Sequence, residues 1–243
     1  MSKLLKAREI SGEEIEGLTP GKFPVRAPLE GDYARLEPLD PQQHAAGLFQ
    51  ASHEGDDARR IWDFLPDGPF ADLPSFTDWL QSYAVIADRL SFAVRDRISD
   101  KAAGMASYMN IHPRHGCIEI GYIWFAPFLQ NTRQSAEALF RLMQYAFDGL
   151  GYRRLEWKCD ARNEPSRRAA LRLGFAFEGV FYQHLVVKGR NRDTAWYSML
   201  DTEWPMIREN FEQWLSPENF DADGQQRLSL GVMNRALRNI GSF

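Results

Sequence analysis

Apolar and polar positions change period several times along the chain, and each change marks an element. Residues 33–39 alternate, Tyr33, Arg35 and Glu37 against Ala34, Leu36 and Pro38, which predicts a first strand. Helical spacing follows over 41–53, with Ala45, Leu48 and Phe49 on one face. Residues 54–74 lose any period and read as an aromatic loop, with Trp62, Phe64 and Phe70 among Pro66, Pro69 and Pro74. A helix is expected from Ser75, with Asp78 three residues on in capping-box fashion and Phe76, Trp79, Leu80, Tyr83 and Ala87 on its buried face.

Three strands come next, at 90–95, 102–111 and 117–125, with turns near Ser99-Asp100 and over 113–116. Beyond Pro127 the period returns to helical over 133–150, where Leu139, Leu142, Met143, Tyr145, Ala146 and Phe147 form a broad apolar face closed by Gly151. A strand at 154–159 leads to a helix at 163–173 ended by Gly174, then to strands at 175–187 and 194–200 joined at Gly189-Arg190-Asn191. A helix over 202–215 carries Trp204, Ile207, Phe211 and Trp214, and the rest signals only a short helix near 233–237. This order implies one mixed sheet with helices on its faces, including a parallel, right-handed crossover between 117–125 and 154–159. The expected division is an arm at 1–30, one domain at 31–215 and a tail at 216–243.

Composition narrows the function. The length of 243 residues and 44 % hydrophobic content support a full core without metal or disulfide. A net charge of −4 and a pI near 5.8 argue against nucleic acid as a partner. Cys117 and Cys159 lack metal-ligand spacing and lie in apolar runs, so both are expected as buried free thiols. No metal is expected: His112 and His115 flank a turn as surface residues, and His184 is read as structural. With no secretory signal and no membrane-spanning stretch in the sequence, a cytoplasmic protein with no membrane partner is expected.

The chemistry concentrates in residues 117–175. A strand ending at Ile123-Trp124-Phe125 meets Pro127 and turns directly into a helix. First-turn amides and the positive end of the helix dipole suit an anion. Thr132, Gln134 and Ser135 offer further donors, and Arg133 a bidentate partner for phosphate. A connection that binds nothing has the same local pattern.

The pieces Glu119-Ile-Gly-Tyr-Ile, Gln130, Ala136-Glu137-Ala138 and Asn163-x-x-Ser166, followed by Leu173-Gly-Phe-x-x-Glu-Gly179, resemble the GNAT N-acetyltransferases. The branch resembled is that of RimJ and RimL, and the likeness runs from about residue 33 to 200. It implies an α+β fold, a mixed αβα sandwich of the acyl-CoA N-acyltransferase type, whose mostly antiparallel sheet splays at a cofactor cleft. It also implies acetyl-CoA as acetyl donor. Carried over by position, the backbone of Ile123, Trp124 and Phe125 lines the pantetheine arm. Gln130 opens a loop whose amides, from Asn131 through Thr132, Arg133, Gln134 and Ser135 to Ala136, hold the pyrophosphate. Asn163 contacts the pantetheine arm and Ser166 sits near the sulfur. One departure stands out. The family's loop reads Gln/Arg-x-x-Gly-x-Gly/Ala, and here the two small positions are Arg133 and Ser135. Glycine lets backbone approach the phosphates closely; the arginine is expected to compensate with its charge.

Amine acetylation needs a deprotonated amine, a polarised thioester carbonyl and a proton for the departing thiolate. Glu119, four residues before Ile123, is the first candidate base, or else a strand carboxylate in an ion pair. Asp160 is the second, or else a cap for the loop before Asn163. A backbone amide near Ile123 to Phe125 would polarise the carbonyl. The tyrosine acid of many GNAT enzymes is replaced by Ala170, so the resemblance points to Ser166 as proton donor. The alternative for Ser166 is a first-turn residue capped by Asn163.

The acceptor is expected to be a primary amine, on a protein N-terminus or a small molecule. Asp56, Asp57, Asp63, Asp67 and Asp72 beside Trp62, Phe64 and Phe70 suit a cation with an apolar portion, or form a solvated acidic loop with its rings in the core. A non-catalytic acyl-CoA-sensing module is the alternative function. The stripe Trp204, Phe211 and Trp214 needs a partner surface, internal or in a homodimer.

Overall fold

The computed structural model describes residues 4–238. Eight strands form one sheet: β1 (Leu29–Glu30), β2 (Ala34–Pro38), β3 (Leu90–Asp96), β4 (Ala102–His112), β5 (Cys117–Phe125), β6 (Arg154–Asp160), β7 (Ala176–Val187) and β8 (Arg190–Leu200). Their order is β1-β2-β3-β4-β5-β6-β8-β7, and only β5 and β6 run parallel. Helices α1 (Pro41–His53), α2 (Asp56–Arg59) and α3 (Leu73–Ala84) precede β3, and α4 (Arg133–Gln144) makes the β5–β6 crossover. Helix α5 (Glu164–Arg172) lies between β6 and β7, and α6 (Trp204–Leu215) and α7 (Leu230–Arg238) follow β8.

Two apolar layers flank the sheet, the sandwich that the resemblance implies and the order of elements allows. On one face, Leu36, Val94, Tyr108, Ile118, Ile120 and Leu155 meet the apolar sides of α4 and α6. On the other, Ala93, Met105 and Trp124 meet Leu48, Trp62, Phe76 and Leu80 from the α1–α3 region. Burial of these side chains is the main stabilising term, at roughly 25 cal/mol per Å² of apolar surface.

Several elements differ from expectation for identifiable reasons. Helix α3 begins at Leu73, because Asp72 is its N-cap and accepts the Ser75 amide at 2.9 Å, with Ser75 answering as the box partner. It ends at Ala84, which leaves Ala87 outside the helix and exposed. The 54–74 segment contains α2 and a 3₁₀ turn, Arg60–Asp63. The β7–β8 hairpin turns on Lys188 and Gly189, at φ 49° and 72°, so β8 starts at Arg190. Cys117 is half-buried, while Cys159 is buried; both are free.

The ends are more integrated than their composition suggests. Leu5 is buried and its amide donates to Leu237 O at 2.9 Å. Strand β1 extends the sheet out of the arm. The Trp204–Phe211–Trp214 stripe finds its partner inside the chain: Phe211 stacks on Phe140 of α4 at 5.0 Å and Trp204 on Phe147 at 5.2 Å. That stripe therefore supplies no ground for a dimer. In the tail, buried Asn219 donates to Trp214 O at 3.0 Å and accepts the Leu228 amide at 2.8 Å, which orders the loop before α7.

Candidate active site

Parallel pairing of β5 with β6 covers three rungs and stops at Glu119↔Glu156. The cause lies in β5. Tyr122 adopts φ 51°, and the β4–β5 register slips between Met105 and Ser107, a bulge that turns the upper half of β5 away. Strand β6 stays paired with β8 up to Asp160↔Thr194. A gap therefore opens between Ile123–Trp124–Phe125 and Trp157–Asp160, with the β6-side backbone edge of β5 left without a strand. Such an edge can hydrogen-bond an extended, amide-bearing chain.

The open edge leads into the N-terminus of α4. Gln130 donates from Nε2 to Phe125 O at 3.0 Å, and Asn131 turns the chain at φ 59°. Thr132 is the N-cap: its Oγ1 accepts the Ser135 amide at 3.3 Å and donates to Leu129 O at 2.7 Å. Ser135 Oγ donates to Thr132 O at 3.1 Å. These two hydroxyls thus build the loop rather than point out of it. Gln134 reaches Asp96; burial alone would raise that carboxyl, but bonds from Ser99, the Ile98 amide and Gln134 hold it below its ordinary value.

Arg133, the first residue of α4, lies with its guanidinium carbon 3.4 Å from the Phe220 ring centre and 4.6 Å from that of Tyr33. It has no carboxylate partner among the described residues. Ala136 is fully buried one turn further along.

Across the gap, Asn163 caps α5 by accepting the Ser166 amide at 3.1 Å. Ser166 Oγ accepts the Trp157 indole N–H at 3.0 Å. An indole nitrogen only donates, so the serine's own hydrogen turns elsewhere, toward the Cys159 sulfur. Burial pushes the nearby Cys159 thiol up, against a hydrogen bond from Ser166. Asp160 is buried and holds Arg162 through both oxygens, at 3.1 and 2.8 Å, while accepting the Arg162 amide at 2.9 Å. Burial would raise this carboxyl, but Arg162 keeps it below the usual range. Asp160 is thereby tied into the turn that leads to Asn163.

Glu119 stands at the vertex of the gap, 5 % exposed. Its Oε2 accepts from Asn110 Nδ2 at 2.6 Å and from Lys158 Nζ at 2.8 Å. Lys158 also meets Glu156 Oε2 at 2.9 Å and lies 4.0 Å above the Trp196 ring. Burial opposes the ammonium, yet the Glu119 and Glu156 carboxylates raise its pKa and keep it charged. Lys158 escaped the sequence reading, although alternation in Glu156-Trp157-Lys158 sets both charges on the face opposite Trp157.

On that side the acidic segment closes the site. Tyr122 donates to Asp67 Oδ2 at 2.7 Å; burial first, then the Asp67 charge, push its phenol far up. Lys188, at the β7–β8 turn, donates to Trp62 O at 2.8 Å. Trp62 is fully buried, and Phe70 packs on it at 5.3 Å, so these rings belong to the core under the loop. Asp56, Asp57, Asp63 and Asp72 are exposed. No group of three or more potential metal ligands occurs among the described residues.

Comparison with known proteins decides the family. Residues 34–176 match the model of the acetyltransferase (GNAT) domain. The chain belongs to the GNAT acetyltransferase family. A GCN5-related N-acetyltransferase from Brucella melitensis is 48 % identical, with a TM-score of 0.88 over 91 % of this chain and 100 % of that one. A GNAT-family protein from Chromobacterium violaceum is 41 % identical, with a TM-score of 0.75 over 82 % of this chain and 99 % of the other. YdaF of Bacillus subtilis, whose name assigns it provisionally to ribosomal N-acetylation, is 30 % identical over 70 % of this chain and 90 % of its own. The GNAT fold accounts for the mixed, mostly antiparallel sheet and the single splayed parallel pair. No helix among the described residues of this GNAT protein is long and apolar enough to cross a membrane.

Proposed function

We propose that this GNAT protein transfers the acetyl group of acetyl-CoA to a primary amine by direct attack within a ternary complex. The observation that carries the reading is the β5 edge left open beyond Glu119↔Glu156, which runs straight into the α4 N-terminus and an arginine without a carboxylate partner. The residues present suit the coenzyme. The open edge at Ile123, Trp124 and Phe125 fits the amides of a pantetheine arm, and first-turn amides from Asn131 to Ala136 with Arg133 fit its phosphates. Gln130 and Asn163 hold the two rims of the gap. Bound acetyl-CoA supplies the activated acetyl group; the chain's own residues supply position and proton transfer.

Glu119 is the base in this reading. Its carboxylate, held in place by Lys158 and Asn110, takes the amine's proton through water. Ser166, with its oxygen occupied by Trp157, turns its hydrogen from Cys159 to the departing sulfur. A backbone amide of the bulged β5 segment polarises the thioester carbonyl. Asp160 serves the turn, as its Arg162 pairing indicates. The name of YdaF favours a peptide N-terminus over a small amine.

The ion pairing of both carboxylates favours one competing reading, an acyl-CoA-binding module without turnover. Thiol release from acetyl-CoA, measured with a panel of N-terminal peptides and small amines, separates the two. Acceptor-dependent release supports transfer, and its absence across the panel with acetyl-CoA bound supports sensing.

A further inference from the structure

We infer that the C-terminal tail forms part of the coenzyme site, with Phe220 a positioning residue that braces Arg133 against the phosphates. This rests on the acetyl-CoA reading above and adds to it a segment beyond the matched domain, which ends at residue 176.

Arg133 is an unfavourable residue at its own position. A cation in the first helical turn opposes the dipole and costs roughly 0.3–1 kcal/mol until an anion arrives. Its guanidinium carbon lies over the Phe220 ring at 3.4 Å and over the Tyr33 ring at 4.6 Å. Contact with two rings leaves the N–H donors without a carboxylate and available to phosphate. Arg141, further along the same helix, is instead neutralised by Glu137 at 3.3 Å.

Both rings are themselves anchored. Glu137 accepts the amides of Asp32, Tyr33 and Ala34 at 2.8, 2.6 and 2.8 Å, which fixes Tyr33 over the helix start. A Cβ on Gly31 would lie 2.4 Å from the Glu137 carboxylate, so this capture requires glycine there. Phe220 follows buried Asn219, pairs with Gln226 in an isolated bridge, and takes the Trp214 ring against it at 5.4 Å. The neighbouring Asp221 is exposed, and its Oδ1 accepts the Asp223 and Gln225 amides at 3.0 and 2.8 Å. The tail thus presents an aromatic face to the arginine without pairing a carboxylate with it among the described residues. Arginine in place of a small loop residue and a tail that stacks on it act as one device.

The test is calorimetric titration of CoA and of dephospho-CoA into wild type, Phe220→Ala, Phe220→Tyr, Arg133→Ala and the Phe220→Ala/Arg133→Ala double variant, each first checked for an intact melting transition. Phe220→Ala is expected to weaken CoA binding by roughly 3- to 30-fold, the range of one cation–π contact. Phe220→Tyr should restore affinity to within about twofold, since the ring is kept. In the Arg133→Ala background the Phe220 change should cost little more. In turnover the loss should fall on KM for acetyl-CoA, with kcat little changed. A loss that persists with dephospho-CoA assigns the arginine to the pyrophosphate, and one that vanishes assigns it to the 3′-phosphate. Wild-type affinity in Phe220→Ala, or an equal loss with and without Arg133, would overturn this inference alone. No CoA binding by the wild type would overturn it together with the coenzyme reading.

Discussion

Lys158 Nζ and Glu119 Oε2 meet at 2.8 Å just beyond the last paired rung of β5 and β6, where the sheet begins to open. The pair gives a carboxylate only 5 % exposed a charged hydrogen-bond partner at the floor of the cleft. It also bears on the chemistry. In Glu119→Gln the shape is kept and the charge lost, so kcat is expected to fall by about 10²–10³, with KM for acetyl-CoA within about threefold. Steady-state thiol release reads both constants. An unchanged kcat would remove Glu119 from the reaction.

Gly121 is what allows the Glu119 carboxylate to lie against its own strand. A Cβ at this position would come 2.8 Å from Met109 Sδ and 3.0 Å from Glu119 Oε1. The Met109 side chain can move aside, but the carboxylate is held by Lys158 and Asn110. Gly121→Ala is therefore expected to fold and to lose about tenfold in kcat, since a misplacement near 1 Å can cost up to ~10²-fold. Circular dichroism and kinetics on the same sample check it. Full activity would show that the position of Glu119 is unimportant.

Acid should loosen the two chain ends first. Burial would raise the Glu203 carboxyl, but Arg8 and Arg238 hold it down to about 2, from an ordinary 4.5. A depressed carboxyl gives stability that is present above its unfolded value and lost as pH falls through its folded one. The window here is about pH 4.5 down to 2, and the loss on the order of 3 kcal/mol. Glu178, also held to about 2 by Arg154, acts over the same range. Urea unfolding at pH 6, 4 and 3 should show stability falling with acid, and Glu203→Gln should flatten that slope. Equal slopes for wild type and variant would contradict the assignment.

Much of this architecture could be read from local pattern. Leu139, Leu142 and Met143 gave α4 its apolar face, Gly151 and Gly174 marked two ends, and Asn163 at cap spacing from Ser166 foretold the start of α5. What failed were features set by competition or by distant contacts. Asp72 outcompeted Ser75 as the α3 cap because both can accept, and only one position leaves Ser75 free to answer. The Trp204 stripe left an internal partner and a second copy equally open, because Phe140 lies in another element. Asp160 reads from sequence as either a base or a cap for the loop before Asn163, and its pairing with Arg162 two residues away is visible only in the fold. The environment of Glu119 depends on the register that brings Glu156 and Lys158 alongside. Phe220 lies in a segment without periodicity, so nothing local connects it to Arg133.

The central claim is that the open β5 edge and the α4 N-terminus hold acetyl-CoA, and calorimetric titration of acetyl-CoA into the wild type and Arg133→Ala tests it most directly. Micromolar binding to the wild type, weakened in the variant by the loss of a charge-assisted phosphate contact, is the expected result. No binding at millimolar acetyl-CoA would contradict the acetyltransferase reading and leave a GNAT fold put to another use.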